Sequence, residues 1–155
     1  MALYTTLFSA VAVTAQQDFF ELNSVSNKTL CVHSIRLSQV SDVGDAASEG
    51  LAVTLVSGHA TSGSGGSTHT PAPLQTGGGA SSFTVEINNT TIASTGTPIT
   101  HYAWNWVIQA PFIEQFTPSE MVYLAPGGRL CLRLSTTPAD SLTMSGVMVV
   151  EEFGT

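Results

Sequence analysis

The stretch Arg129–Leu134, which reads RLCLRL, carries the pattern that decides the fold of this chain. Leu130, Leu132 and Leu134 alternate in it with two arginines and a cysteine. Successive side chains of a β-strand point to opposite faces of a sheet, so a two-residue period predicts a strand with one buried face. Pro126-Gly127-Gly128 just before it predicts a tight turn that leads into the strand.

The same period recurs along most of the chain and predicts an all-β protein. Val and Thr are abundant, whereas strong helix formers are sparse. In Thr29–Leu37 the alternation places Cys31, His33, Ile35 and Leu37 on one face. The other predicted strands are Leu3–Thr14, Asp18–Asn23, Leu51–Val56, Phe83–Ile87, His101–Ala110, Glu120–Leu124 and Leu142–Glu152.

About nine strands without intervening helices predict one domain, residues 1–155. We expect a jelly-roll-like antiparallel β-sandwich of about eight or nine strands. Met1–Ala15 is apolar but lacks the positive charges of a signal peptide, so it is interpreted as a strand, with a cleaved signal as the alternative. Ser41–Glu49 is a candidate for a short helix.

Residues 57–82 are rich in Gly, Ser and Pro and predict one long flexible loop. Between Glu49 and Glu114 only Glu86 carries a fixed charge. A long loop without regular structure inside a compact domain is usually mobile or functional. Two interpretations remain open: a disordered surface insertion, or an extended arm that becomes ordered against a neighbouring subunit.

The chain carries few charges, and this excludes two classes of partner. Charged residues make up 10% of it, against about 25% in average soluble domains. The net charge is −7, and the fixed cations are Lys28, Arg36, Arg129 and Arg133. Because nucleic-acid binders and polybasic membrane anchors need clustered cations, we expect no nucleic acid and no membrane as a partner. A polar surface with little charge favours the assembly of subunits, because repulsion between them is weak.

No motif predicts catalysis, a cofactor or a metal ion, so we expect a protein that is not an enzyme. The serines include no nucleophile elbow, and the glycine-rich segment has no lysine for a phosphate loop. The four histidines form no metal-binding pair, and His33 is expected to be hydrogen-bonded on an apolar strand face. Asp42, Asp45 and Glu49 cluster as in a calcium loop, but their spacing does not match an EF-hand, so a solvated turn is favoured.

The two cysteines, Cys31 and Cys131, lie far apart in the sequence. They have neither the paired spacing nor the nearby histidines of a zinc site. One disulfide between them is an alternative, but the sequence does not place their Cα atoms within bonding range. We expect two free, shielded thiols in a protein made in a reducing cytoplasm.

An aromatic row follows one face of the predicted strand His101–Ala110. It consists of Tyr102, Trp104, Trp106 and Ile108, with Phe112 and Phe116 soon after. Two tryptophans on such a strand most often fill the core of a sandwich. The alternative is an interface anchor, because Trp and Tyr dominate binding hot spots. A carbohydrate-binding module also uses exposed aromatic rings, although here Asn105 is the only polar partner at hand.

Several stretches together carry a resemblance to a known group. They are FFELN (19–23), IRLSQ (35–39) leading to DVGD (42–45), GHATSG (58–63), GRLCLRL (128–134) and SLTMSG (141–146). This pattern resembles small virion proteins of tailed bacteriophages, in particular the jelly-roll decoration (cement) proteins of the capsid exterior. The resemblance spans most of the chain but rests on overall pattern, so no functional residue carries over from it.

The resemblance implies a homotrimer or other small oligomer that binds the major capsid protein where its subunits meet. Its place would be the outside of a phage head assembled in the host cytoplasm, where it would stabilise the expanded shell. The alternatives are a carbohydrate- or receptor-binding module of a virion, and a hydrolase or metal-dependent enzyme. The candidate interface residues are Tyr4, Leu7, Phe8, His59, His69, Pro71, Leu74, Trp104, Trp106, Phe112 and Phe116.

Overall fold

The computed structural model describes residues 2–41 and 49–154, which form twelve β-strands and no helix. The all-β prediction is therefore confirmed. No helix in the described ranges is long and apolar enough to cross a membrane. The strands are β1 (Ala2–Val13), β2 (Gln17–Asn23), β3 (Thr29–Gln39), β4 (Gly50–Ser57), β5 (Ser67–His69), β6 (Ala72–Pro73), β7 (Thr84–Asn89), β8 (Ile99–Val107), β9 (Phe112–Gln115), β10 (Val122–Leu124), β11 (Arg129–Leu134) and β12 (Leu142–Phe153).

The strands form two antiparallel sheets of six strands each. Sheet A has the order β10-β3-β12-β1-β6, and β9 pairs with β3 on the same side as β10. Sheet B has the order β5-β7-β2-β11-β4-β8. Most neighbours within a sheet are distant in sequence, so the core forms only after long-range pairing.

The strand pairs are nested from the two ends of the chain inward, which identifies the sandwich as a jelly roll. β1 pairs with β12 and β3 with β9 in sheet A, whereas β2 pairs with β11 and β4 with β8 in sheet B. Successive nested pairs thus alternate between the two sheets, as in a long hairpin rolled into a double Greek key. The predicted jelly-roll-like sandwich is confirmed, with more strands than the eight or nine expected.

The core between the sheets is built from the inward side chains of both. At Phe19 a β-bulge leaves this residue without a partner on β11, since Phe20 pairs with Leu132 and Asp18 with Arg133. Both phenylalanines are completely buried and contact the ring of Phe8. The ring centroids of Phe19 and Phe20 lie 5.5 and 5.3 Å, respectively, from that of Phe8. The bulge therefore brings two consecutive aromatic rings into one core, which strict alternation would prevent.

A second bulge corrects the prediction for β3. Val32 pairs with Val150 and Ser34 with Val149, so His33 has no partner on β12. The alternation restarts after it, and Ile35 faces the core whereas His33 lies on the outer side of the sheet. The expectation that Cys31 and His33 share a face with Ile35 and Leu37 is therefore wrong, because an inserted residue shifts the period.

Two further expectations concern loops. Residues 57–82 were expected to lack regular structure, but β5 and β6 lie within them and pair with β7 and β1. The flexibility of this segment stays a prediction. The short helix expected at Ser41–Glu49 and the acidic cluster of Asp42 and Asp45 fall largely on residues 42–48, outside the described residues.

Candidate functional site

The two sheets differ in what covers their outer faces. Residues 58–98, here called the insert, connect β4 to β8 and include β5 and β7 of sheet B and β6 of sheet A. Its two end stretches, 58–66 and 90–98, lie against the outer face of sheet B. Two stretches of the insert run antiparallel and are bridged by Thr61 to Ser94 and by Ser64 to Thr91. The insert thus packs against its own sandwich. The interpretation of this segment as an arm that becomes ordered only against a neighbouring subunit is corrected accordingly.

The two ends of the insert meet at a pair of glycines. Gly58 and Gly96 both have positive φ, 86° and 75°, and the amide of Thr97 donates to the Gly58 carbonyl. A Cβ on Gly58 would lie 2.3 Å from the Thr97 carbonyl oxygen. Only glycine permits this backbone conformation together with so close an approach of the two strands.

A buried ion pair attaches one arm of the insert to sheet B. Asp18 on β2 is fully buried and accepts hydrogen bonds from Arg133 on β11, at 2.6 Å from Nε and 3.1 Å from Nη2. The amide of Ala93 in the insert donates to the same carboxylate at 2.7 Å, and Arg133 donates back to the Ala93 carbonyl at 2.8 Å. Both charged groups are therefore satisfied only when the insert is in place.

A second ion pair attaches the other arm. Glu21 is fully buried and lies 2.7 Å from Nε of Arg129. It also accepts hydrogen bonds from the Ser62 hydroxyl, the Gly63 amide and the Asn89 side chain, at 2.5, 2.9 and 3.1 Å. Burial by itself would raise the pKa of Glu21, but the bonds from the insert and the charge of Arg129 outweigh it and hold the pKa below its usual value.

The same cluster fails as a metal centre. Ligand atoms of Asp18, Glu21 and Cys131 lie within 4.8 Å of one another, which is close enough for a shared ion. Both carboxylates are already neutralised by arginines, however. Burial, followed by the negative charges of Asp18 and Glu21, raises the pKa of Cys131 far above its usual value, so it stays a thiol and a poor ligand. Both cysteines are free and buried, as predicted.

The histidines do not assemble into a catalytic constellation in the described residues. His33 contacts Glu151 at 2.7 Å on the outer side of sheet A, which satisfies it as a hydrogen-bonded strand residue. His101 contacts the Ser57 hydroxyl at 2.8 Å, and burial lowers the pKa of this histidine. No carboxylate contact to His101 is present among the described side chains, so the base of this Ser–His pair lacks the orienting group of a nucleophilic triad. Both ring nitrogens of His59 are buried without a partner there.

The side chains of the aromatic row lie in the core of the sandwich or pack against it. Trp106 is buried, and its indole N–H donates to the Ala110 carbonyl at 2.6 Å. Trp104 is half-buried, stacked on Tyr102 at 5.3 Å and edge-on to Phe112. A carbohydrate platform needs a ring that is freely exposed, and neither tryptophan presents one.

No segment of the described residues covers the outer face of sheet A, here called the open face, in this way. Its cross-strand neighbours include the row Leu7, Val147, Arg36 and Ile113, each paired in register with the next. Leu7 is 43% exposed and Ile113 62%. A second row runs from Leu3 through Glu151 and Cys31 to Tyr123. Between these rows lies a third, formed by Thr5, Val149, Ser34 and Gln115. The open face therefore presents exposed apolar side chains among polar ones, with Arg36 and the His33–Glu151 pair as its ionisable features.

The structure divides the candidate interface residues into three groups. Leu7 and Leu74 are exposed, and both lie on or beside the open face, since the Leu74 amide donates to the Leu3 carbonyl. His59, His69 and Trp104 are half-buried. The rest are covered by the protein itself, so the interface prediction is corrected for Tyr4, Phe8, Pro71, Trp106, Phe112 and Phe116.

The sequence prediction missed the features that distinguish the two faces. Asp18, Glu21, Arg129 and Arg133 were not proposed as a group, although two of the four cations of the chain stand on one face of a single strand. That spacing of two arginines could have indicated a charged cluster from the sequence alone. The sequence carries no comparable signal for Ile113 and Tyr123 on the open face, because an isolated apolar residue on a short strand does not reveal which way it faces.

Comparison with known proteins adds no family. No family model matches the chain, and no curated protein is similar to it. Among solved structures, the chain aligns with VP17, a capsid protein of bacteriophage P23-77, at 10% sequence identity over 94% of this chain and 87% of that chain. The TM-score is 0.12, a value that does not indicate a shared fold.

Proposed function

We propose that this chain is a structural virion protein, a decoration (cement) protein that binds the exterior of a phage capsid through its open face. The observation that carries the proposal is the contrast between the two sheets: the insert covers the outer face of sheet B over β2 and β11, whereas sheet A presents Leu3, Leu7, Ile113 and Tyr123 to solvent. The resemblance of several sequence stretches to decoration proteins supplies the class of partner.

The open face has the dimensions of a protein interface. β12 runs along it for 12 residues, about 40 Å at roughly 3.4 Å per residue. Four strands at about 4.8 Å spacing make it about 20 Å wide. The resulting area of about 800 Å² equals one side of a standard interface, which buries about 1,600 Å² in total. Binding through this face would need no ordering of loops, so little conformational entropy would be lost.

The negative net charge of the chain favours a partner whose contact surface is neutral or basic. Arg129 and Arg133 are neutralised by buried carboxylates, so the net charge of −7 is carried by the remaining surface groups. The open face itself carries little of it. Many copies on a shell would bind side by side, and each contact can therefore be modest. The proposal includes no catalytic step and no cofactor.

The proposal is tested by cosedimentation with capsids purified from the phage or prophage that encodes the chain. The wild-type protein should pellet with capsids that lack it, and Ile113→Asp should lose at least about tenfold in affinity, because a carboxylate is left desolvated in an apolar contact. The matched control is Ile99→Asp, an isoleucine exposed to a similar degree, 56%, on the other sheet. Wild-type protein that stays in the supernatant overturns the proposal, and so does equal binding by Ile113→Asp.

A further inference from the structure

The four sheet edges of the sandwich are protected to different degrees. An unpaired edge strand offers its backbone groups to other chains, and proteins shorten, bend or charge such edges. In the described part of the chain, sheet A ends at β6, with two residues, and at β9 and β10, with four and three. Sheet B ends on one side at β5, with three residues. β8, with nine residues, is the longest strand that has a neighbouring strand on one side only.

The β8 strand lacks the usual protective residues as well as the usual shortness. Its sequence, ITHYAWNWV, contains no charged residue, no proline and no glycine. Ile99 and Val107 at its two ends are 56% and 49% exposed, and Ala103 and Asn105 between them are also exposed. One bulge interrupts its pairing with β4, because His101 stands between Tyr102 and Thr100 without a partner. The stretch from Tyr102 to Val107 is regular.

The hydrogen-bond pattern shows which backbone groups of β8 face outward. The amide of Ile108 donates to the Glu49 carbonyl of the strand on the inner side. Antiparallel pairs alternate between bonded and non-bonded, so Trp106 and Trp104 also direct their backbone groups toward β4. The N–H and C=O groups of Ala103 and Asn105 therefore point to the free edge, where no strand of the described chain pairs with them.

We propose that two copies of this chain associate through their β8 strands and form one continuous twelve-stranded sheet. The strands pair antiparallel about a two-fold axis at Trp104, so Ala103 exchanges backbone hydrogen bonds with Asn105 of the second copy. Trp104 then lies opposite its counterpart in a non-bonded pair, where side chains are closest. Its half-exposed ring is covered by this contact, and cross-strand aromatic pairs stabilise a sheet.

The strand that pairs with this edge belongs to a second copy of the chain, because two antiparallel β8 strands fit each other about a two-fold axis. A two-fold axis places small Ala103 beside Asn105 on the outer side, so no large side chains clash there. Two molecules of net charge −7 repel each other, but β8 contributes none of that charge. Raising the ionic strength should therefore favour the pair, since salt screens the repulsion. This pairing gives a dimer, in contrast to the homotrimer that the resemblance implies.

The test is the mass of the full-length protein in solution by light scattering and sedimentation equilibrium. We expect a dimer, and a monomer for Ala103→Pro, because proline removes an outward N–H that no intrachain bond uses. Ala103→Lys should have the same effect by charging the edge. Ser26→Lys, in an exposed turn, adds the same charge elsewhere and should stay dimeric. Circular dichroism checks that every variant is folded.

A cysteine experiment tests the register independently. A mixture of Ala103→Cys and Asn105→Cys proteins should form an intermolecular disulfide, since these positions face each other about 5.5 Å apart between Cα atoms. The native Cys31 and Cys131 are buried and serve as the background. A wild-type monomer or trimer, an Ala103→Pro dimer, or an absent mixed disulfide overturns the proposal. None of these results bears on capsid binding by the open face.

Discussion

The outer faces of sheets A and B are built from the same alternating strands, yet the insert covers β2 and β11 on sheet B, whereas no described segment covers sheet A in this way. On sheet B, Asp18 and Glu21 are fully buried beneath the insert and pair with arginines. On sheet A, the equivalent outward positions are occupied by side chains such as Leu7 and Ile113, which remain exposed. These charged residues of sheet B are buried, whereas these apolar residues of sheet A face water.

This inversion has a physical reason in the connection between β4 and β8. The insert is long enough to fold back over sheet B, and it brings backbone amides of Gly63 and Ala93 to the two carboxylates. Buried charges are tolerated when they are paired and hydrogen-bonded. Within residues 2–41 and 49–154, sheet A has no comparable cover, so its apolar outward residues are free to contact a partner.

The largest expected effect comes from breaking one buried ion pair. Arg133→Met leaves Asp18 as an unpaired buried charge, which should lower the free energy of unfolding by about 3–5 kcal/mol. For a chain of this length that corresponds to a loss of roughly 6–20 °C in melting temperature, measured by calorimetry or circular dichroism.

Arg36→Met is the matched control on the open face. Arg36 is exposed, so its replacement should change the free energy of unfolding by no more than about 0.5 kcal/mol. Equal destabilisation by the two substitutions would contradict the distinction between a sealed and an open face.

An intermediate loss of folding stability is expected at acid pH. The pKa of Glu21 is lowered in the folded protein, so the unfolded chain takes up a proton at this residue first as the pH falls. The stability that Glu21 contributes is complete above its ordinary pKa of 4.5 and is lost as the pH falls through the folded value. Urea unfolding between about pH 5 and pH 3 measures this loss.

Glu21→Gln sharpens the same measurement. The variant should be less stable near neutral pH, because Arg129 loses its charged partner, but its stability should fall less steeply in acid than that of the wild type. A slope as steep as that of the wild type would show that other groups cause the acid sensitivity.

The smallest effect concerns the two thiols, which lie on opposite faces. Burial raises the pKa of Cys31, although the hydrogen bond with Tyr123 opposes this; Cys31 lies beside that exposed ring on sheet A. Tyr123→Ala removes the ring beside Cys31 and should expose this thiol to a thiol reagent in the folded state, with little change in stability.

Cys131, beneath the insert, should react only on unfolding, because burial and two carboxylates keep it protonated. Tyr123→Phe keeps the ring and should leave both thiols shielded. Rapid reaction of Cys131 in the folded protein would mean that the insert opens from sheet B.

The sequence predicted the fold better than the site. Alternation correctly placed Leu130, Leu132 and Leu134 in the core, and it predicted the jelly roll from the number of strands and the absence of helices. It failed where one residue is inserted, because the bulge at His33 puts Cys31 and His33 on the opposite face from Ile35 and Leu37. It also placed Trp106 and Phe112 among interface candidates, since composition does not separate a core aromatic from an exposed one.

The sequence by itself determined the strands, the scarcity of charge and the lack of a catalytic motif, because these depend on local period and composition. Only the tertiary structure decided which outward residues are sealed and which are open. That outcome depends on where the insert folds back and which strand is left at an edge, and both follow from pairing between residues far apart in the chain, such as Asp18 with Arg133. No local pattern encodes such a pairing, so the open face and the β8 edge become visible only in the folded protein.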